Sequence, residues 1–233
     1  MLRKINLRSL NYKMYFPLYY TTNFFDNPDE TRQWAMSLEY TKPEDGNYPG
    51  GRTKPLHEID KNFYDYVHLK IMSLIYGRNI NQMNWETASF FQLIKHEDVK
   101  EDDKGWIHTD GTSALTSIIY LTPGKSNSGT NLYKPMKTGY QSKFYNGKQD
   151  YYKSGIIPKD YKEFKTEHES NYKKLVSVNS EYNSLLAFDG GYHHGTEWNL
   201  KPDEERLTLI TFFYRINSPW YPVPEMRRRL EFN

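Results

Sequence analysis

The clearest strand pattern in the chain is the run SALTSIIYL at residues 113–121, which the turn Thr122-Pro123-Gly124 brings to an end. Its β-branched and aromatic residues favour extended backbone, and a Pro-Gly pair is typical of a turn. Similar short runs lie on both sides of it, at residues 87–94, 130–133, 175–178, 184–188 and 207–214. Short strands separated by Gly, Pro and Asn predict a mainly β protein, either a sandwich or a jelly roll.

The N-terminal part of the chain predicts one early strand and two helices. Residues 14–25 are rich in Tyr, Phe and Thr, which favours a strand. Asn27 is predicted to cap a helix that has Pro28 in its first turn and reaches about Leu38. Residues 59–77 place apolar side chains at helical spacing and end in Gly77, so they predict a helix that packs on the sheet.

Composition restricts the classes of function. The chain has 233 residues and a net charge of +2, so charge gives no argument for a nucleic-acid partner. It has no cysteine, which excludes disulfides, thiolate metal sites and cysteine nucleophiles. No signal peptide and no membrane-spanning apolar run is visible. We therefore expect a soluble cytoplasmic protein without a membrane partner; for a viral protein the compartment is the host cytoplasm.

A candidate metal site begins in WIHTDG, residues 106–111. His108 and Asp110 are two positions apart, so extended backbone directs both side chains to one side. Such a pair arises often by chance and needs a third ligand. Either His193 or His194 can supply it, since both follow the apolar run 184–188. Two histidines and one carboxylate form the metal-binding face of non-haem iron oxygenases, which leaves coordination positions open.

A candidate anion site follows on the next predicted strand. Arg206 and Thr208 alternate with apolar residues and share one strand face. A buried guanidinium needs a partner, and a ligand carboxylate fits its planar fork. The alternative is an edge-strand arginine that pairs with Glu204 or Glu205.

Taken in order, these motifs resemble the 2-oxoglutarate/Fe(II)-dependent dioxygenase superfamily, most closely its prolyl 4-hydroxylase-like branch with phage and bacterial relatives. Residues 117–121, 129–132 and 185–188 resemble the family's strands around the site, and YPGGR at residues 48–52 resembles a small branch of the superfamily. The resemblance covers residues 87–213 without the insert. In the family the distal histidine falls six residues after the Phe, and six residues after Phe188 is His194, which we prefer over His193.

The resemblance implies a fold, ligands and a reaction. The fold is mainly β with flanking helices, a double-stranded β-helix of the cupin-like jelly-roll type. His108, Asp110 and His194 are implied as the catalytic ligands of Fe(II). Arg206 and Thr208 are implied to bind 2-oxoglutarate, with Tyr120 either as a helper or as a core residue. The reaction uses dioxygen to hydroxylate a C–H bond of a prolyl residue, another peptidyl residue or a small molecule, and it releases succinate and CO2. An assay includes ascorbate as reductant.

We expect one oxygenase domain over residues 1–233. In it, residues 1–80 form a strand and helical support, and residues 85–216 form the jelly-roll core. An insert at residues 134–174 is expected to be a lid or binding loop. Two alternatives stay open: another cupin-type metal enzyme, and a jelly-roll binding or structural module, of viral or other origin, that has no turnover. The remaining histidines are interpreted as structural: His57, His68, His96 and His168.

Overall fold

Two antiparallel β-sheets form the centre of the protein. The computed structural model describes residues 18–42, 48–99, 106–124, 126–136, 161–196 and 200–219. Its strands are β1 Tyr19–Thr21, β2 Gly51–Arg52, β3 Asn84–Lys95, β4 Leu115–Tyr120, β5 Ser126–Pro135, β6 Tyr172–Ser180, β7 Ser184–Asp189, β8 His193–Thr196 and β9 Glu205–Asn217. Its helices are α1 Pro28–Met36, α2 Leu56–Ile59, α3 Lys61–Tyr76 and α4 Tyr161–Ser170. Within these ranges every helix is too short or too polar to cross a lipid bilayer.

The two sheets pack face to face. The larger sheet has the strand order β1-β7-β4-β9-β3-β2 and the smaller one β6-β5-β8. An apolar cluster joins their inner faces and consists of Ile118, Tyr120, Leu132, Leu186 and Phe188. The Tyr120 hydroxyl also donates to Thr130 Oγ1 across the gap at 2.7 Å. This arrangement confirms the predicted jelly roll.

The helices cover the outer face of the larger sheet. Side chains of α1, α2 and α3 enter the main core there, including Ala35, Leu56, Val67, Ile71 and Met72. The sheet contributes residues that alternate with the inward-facing ones, including Phe91, Leu115, Ile119, Leu209 and Phe213. The flanking helices were predicted from the sequence, and this core holds the larger sheet in place behind the site.

Several predicted boundaries shift in the structure. Of the strand predicted at 14–25, residues 19–21 are strand and residues 14–17 lie outside the described part. Helix α1 begins at Pro28, but the prediction of Asn27 as its cap is wrong in one respect, since the Asn27 side chain makes no capping hydrogen bond. Helix α3 begins two residues later than predicted because Asp60 caps it by accepting from Phe63 N at 2.9 Å. Gly77 ends it with φ 74°, as expected.

Four elements were not predicted, one of which is the short helix α2, Leu56–Ile59. Strands β2 and β8 are two and four residues long and carry Gly, Arg, His and Thr, so they lack an apolar alternation. Helix α4 lies within the expected insert. That insert is shorter than predicted, because β5 continues through Pro135 and β6 starts at Tyr172. Its residues 137–160 lie outside the described part of the chain.

A buried polar network joins α3 to the larger sheet. His68 Nε2 lies 2.7 Å from Ser89 Oγ, which lies 2.8 Å from Thr211 Oγ1. Burial is the main reason that the pKa of His68 falls from 6.5 to about 4. The imidazole is therefore neutral in the folded protein at mildly acidic pH.

Mild acid should destabilise the fold through His68. The unfolded chain takes up a proton on this residue near pH 6.5, whereas the folded chain does so only near a pKa of about 4. Because the unfolded state binds more protons between these values, the free energy of unfolding falls by about 3 kcal/mol as the pH drops through this range. Denaturant unfolding at pH 7 and pH 4.5 measures the loss. It should be smaller in His68→Gln, and an equal loss in both chains would contradict the prediction.

Candidate metal centre

Three side chains that can bind a metal meet at one end of the space between the sheets. His108, Asp110 and His194 each offer one ligand atom, and these atoms lie within 4.8 Å of one another. His108 Nε2 is 3.7 Å from Asp110 Oδ1, and His194 Nε2 is 3.5 Å from Asp110 Oδ2. The side chains are 38%, 11% and 8% exposed, respectively. Asp110 and His194 are therefore largely buried, and solvent reaches the candidate centre past His108.

Backbone pairing brings the two histidines together. His108 N donates to His194 O at 2.9 Å, and His194 N donates to His108 O at 2.7 Å. Residues paired in this way direct their side chains to the same face, and the two ring centroids lie 4.4 Å apart. Asp110 is fixed separately, since its N donates to Gly190 O at 3.0 Å. A Cβ atom at Gly190 would lie 2.2 Å from Ser113 O, so this close approach requires glycine.

Hydrogen bonds also set the orientation of each ligand. His108 Nδ1 lies 2.8 Å from Trp106 O, and His194 Nδ1 lies 3.0 Å from Tyr192 O. A carbonyl can only accept, so both Nδ1 atoms carry the proton and both Nε2 lone pairs face Asp110. Thr116 Oγ1 donates to Asp110 Oδ2 at 2.5 Å. This partner was missed in the sequence, where Thr116 reads only as a strand residue.

His193 lies elsewhere although it is adjacent to His194. Successive residues of β8 face opposite sides. The ring of His193 lies 4.9 Å from that of Tyr172, whereas the ring of His194 lies 4.8 Å from that of Phe188. Burial, followed by the neighbouring histidines, lowers the pKa of His193. The group of side chains that could hold a metal thus includes His194 and not His193.

Arg206 lies on the inner face of β9. It is 3% exposed, its Nε donates to Ser128 O at 2.9 Å, and its guanidinium lies 5.4 Å from the Tyr120 ring centroid. Burial lowers the pKa of Arg206, and Tyr120 opposes that shift. The alternative partners are engaged elsewhere. Glu205 Oε1 lies 2.5 Å from Arg32 Nη2. Glu204 Oε2 accepts a hydrogen bond from Lys201 N at 2.9 Å.

Thr208 and Tyr120 lie beside Arg206. They are cross-strand partners in the register of β4 and β9. The Thr208 hydroxyl is buried and has no hydrogen-bond partner among the described residues. A buried hydroxyl left in this state is costly unless a ligand bonds to it. A carboxylate that binds Arg206 would provide that bond.

Strand β4 connects the metal end of the space to this anion end. Thr116 touches Asp110 at one end, and Tyr120 lies beside Arg206 at the other. Thr116 and Tyr120 are four positions apart on the strand, so their Cα atoms are separated by about 13 Å. Their side chains shorten the distance between the two ends. Ile118 lies between them and belongs to the apolar cluster of the inner faces. The candidate metal group and Arg206 therefore lie toward opposite ends of β4, with an apolar side chain between them.

Two other histidines lie within hydrogen-bond distance of backbone carbonyls and not in the triad. His96 Nδ1 lies 2.8 Å from Leu200 O, and His168 Nε2 lies 2.8 Å from Ile107 O. The second contact attaches α4 to the segment that carries His108. In the described residues, the cluster of His108, Asp110 and His194 is the only such group of metal-binding side chains.

Solved structures share the fold. HygX from Streptomyces hygroscopicus, crystallised with nickel and 2-oxoglutarate, is 11% identical over 84% of this chain and 82% of HygX, with a TM-score of 0.50. A prolyl hydroxylase from Trichoplax adhaerens, in complex with a hypoxia inducible factor peptide, is 11% identical over 93% and 87% of the two chains, with a TM-score of 0.50. EvdMO1 is 13% identical over 88% of this chain and 48% of its own length, with a TM-score of 0.53. At these identities the likeness shows the jelly-roll fold alone.

Sequence comparison identifies the family. No curated protein matches the chain. A family model described as "Family of unknown function (DUF6445)" matches residues 5–213. The match includes the triad, Arg206 and most of both sheets. The chain therefore belongs to the family DUF6445.

Proposed function

We propose that this protein is a non-haem Fe(II)- and 2-oxoglutarate-dependent oxygenase that hydroxylates a C–H bond. The observation that carries the proposal is the convergence of two Nε2 lone pairs and one carboxylate at His108, Asp110 and His194. This donor set suits Fe(II) and leaves positions for a chelating 2-oxo acid and dioxygen. When bound, the metal and 2-oxoglutarate would activate dioxygen, which is the oxidant: one oxygen atom would enter succinate, formed from 2-oxoglutarate with release of CO2, and the other the substrate C–H bond.

The anion end has the groups that a second carboxylate needs. Arg206 offers a planar cation, and Thr208 offers a hydroxyl that has no hydrogen-bond partner among the described residues. Tyr120 offers a neighbouring hydroxyl that donates to Thr130. The hydrogen bond from Arg206 Nε to Ser128 O attaches the guanidinium to β5. The far carboxylate of 2-oxoglutarate is the proposed occupant. His108, Asp110 and His194 would hold the metal to which the 2-oxo group of 2-oxoglutarate binds.

The protein groups have positioning roles in this proposal. The carbonyls of residues 106 and 192 hold the imidazoles in one tautomer, and Thr116 holds the carboxylate. The apolar side chains of Ile118, Leu132 and Phe188 exclude water between the two ends. The proposed substrate is a prolyl or other peptidyl residue, or a small molecule. The proposed unit is a single domain over residues 1–233.

Succinate formation tests the proposal. The purified protein, supplied with Fe(II), ascorbate and 2-oxoglutarate in air, is expected to form succinate, slowly without substrate and faster with it. His108→Ala should reduce the rate at least about 100-fold, because a ligand is lost, whereas His193→Ala should keep most of it. A chain that binds metal without forming succinate would indicate another cupin-type metal protein. A chain that binds neither metal nor 2-oxoglutarate would indicate a binding or structural module.

A further inference from the structure

A second arginine faces the same interior space. Arg52 lies on β2, at the edge of the larger sheet, and pairs with Gln92 on β3. Gln92 in turn pairs with Thr208, and Thr208 pairs with Tyr120. Cross-strand partners share a face, so this row crosses four strands on the side that faces the smaller sheet. No sequence motif of the metal or anion site includes Arg52.

Aromatic rings hold the guanidinium of Arg52. Its Cζ lies 3.8 Å from the ring centroid of Tyr48, 5.6 Å from that of Phe212 and 5.8 Å from that of Phe90. Stacking occupies the faces of the guanidinium and leaves its in-plane N–H groups for hydrogen bonds. Two of them reach Gln92 Oε1 at a long 3.4 Å. An acceptor that lies closer can therefore replace Gln92 Oε1, or accept a further hydrogen bond from the same guanidinium.

The loop that carries Arg52 is fixed against the sheet. Gln92 Nε2 donates to Pro49 O at 2.9 Å. Gly50 has φ +68°, and a Cβ atom there would lie 2.2 Å from Leu93 O. Only glycine allows this approach. The position of Arg52 is thus determined by the backbone of its own loop and by β3.

Arg52 leans toward the metal end. Phe212, one of the rings beneath it, is the cross-strand partner of Thr116, which donates to Asp110. The negative charge of Asp110 acts to raise the pKa of Arg52, after Tyr48 and against the larger lowering by burial. Arg206 lies at the other end of β4, beside Tyr120. Arg206 therefore faces the anion end of the space between the sheets, and Arg52 faces the end near Asp110.

The charge of Arg52 is not balanced by an ion pair in the described part of the chain. A largely buried guanidinium in this state favours an anionic neighbour. Among anions, a carboxylate matches the in-plane fork best, through two parallel hydrogen bonds. The aromatic rings around it can contact the apolar part of the same ligand.

We infer that Arg52 binds a carboxylate of the substrate, so that the protein acts on a small acid or on the C-terminal residue of a peptide. This inference rests on the proposed function, in which Arg206 is already assigned to 2-oxoglutarate. It places the substrate carboxylate between Tyr48, Phe90 and Phe212. The C–H bond to be oxidised then lies on the side of Asp110.

Matched acids and amides test this substrate class. The probes are N-acetyl-L-amino acids with the common side chains, tetrapeptides with free C-termini, and the primary amides of both sets. Calorimetric titration uses the parent protein with nickel(II) and 2-oxoglutarate present, which prevents turnover, and is repeated without either. We expect at least one acid to bind about 30-fold or more tightly than its amide, as for a buried charge-assisted pair. The two probe sets distinguish small acids from peptide termini.

Variants assign that preference to a residue. Arg52→Gln should remove the acid preference and leave 2-oxoglutarate affinity unchanged, while Arg215→Gln, at an exposed arginine on β9, should change neither. Arg52→Lys keeps the charge without the fork and should lose most of the preference. If Arg52→Gln does not fold, the acid preference of Arg52→Lys is compared with that of the parent protein, and this comparison tests the role of Arg52.

Three results would overturn the inference. They are equal affinities of the parent for every acid and its amide, an acid preference that survives in the Arg52 variants, and a loss of 2-oxoglutarate binding in those variants. In the last case Arg52 would serve the cosubstrate. If nickel and 2-oxoglutarate fail to bind the parent, the proposed oxygenase function fails. The probe titrations without them still report on Arg52.

Discussion

Replacing Asp110 with alanine is expected to lower Fe(II) affinity by more than about 100-fold. The carboxylate lies between two imidazole Nε2 atoms, at 3.7 and 3.5 Å, and is the only negative charge in the triad. Losing a residue that merely hydrogen-bonds a ligand costs about 10–100-fold in metal affinity, so losing the ligand itself costs more. Anaerobic competition with a chromophoric chelator measures the affinity.

Two further variants make this a graded test. Thr116→Val keeps the shape of the side chain but removes the donor to Asp110 Oδ2, and we expect a loss of about 10–100-fold. His193→Ala is the matched control beside His194 and should leave affinity within a few-fold of the parent. Equal losses in His193→Ala and Asp110→Ala would contradict the assignment of the triad.

Arg206→Met is expected to lower 2-oxoglutarate affinity far more than it changes fold stability. Removing the charged partner of a buried carboxylate costs about 2–5 kcal/mol, or roughly 30-fold to several thousand-fold in affinity. Without ligand, the same change removes a guanidinium that is 3% exposed. Burying a charge costs several kcal/mol, which offsets the bond to Ser128 O and the contact with the Tyr120 ring that methionine loses. The free energy of unfolding should therefore change much less than the free energy of 2-oxoglutarate binding.

The measurements are calorimetric titration with 2-oxoglutarate and denaturant unfolding of the ligand-free protein. Arg215→Met is the control, since Arg215 lies on the same strand but is exposed and pairs with Glu86. It should change neither quantity appreciably. Unchanged 2-oxoglutarate affinity in Arg206→Met would remove the anion pocket from the proposal.

The sequence predicts the elements with a strong local pattern. Residues 113–121 and 207–214 read as strands because they are long and rich in β-branched and aromatic residues, and β4 and β9 are the central strands of the larger sheet. Gly77 ends α3 because the backbone there has a positive φ, which glycine adopts without a steric clash. These features depend on neighbours in the chain, so they are visible without the fold.

Other features depend on pairing between distant residues. Strand β8 is polar and four residues long, and it forms because β5 and residue 108 pair with it. Thr116 becomes a partner of Asp110 only when β4 lies beside the loop that follows His108. In the sequence Arg52 belongs only to the segment 48–52 that resembles a branch of the superfamily, and its place on the inner face follows from the register of β2 with β3. Such contacts have no local signature.

The backbone bridge between His108 and His194 joins residues 86 positions apart in the sequence. A cation held by both imidazoles would act as a reversible cross-link between the two ends of that long segment. The unfolded chain has no such preformed site, so the free energy of metal binding adds to the free energy of folding. Supply of the metal would then control both the chemistry and the lifetime of the folded protein.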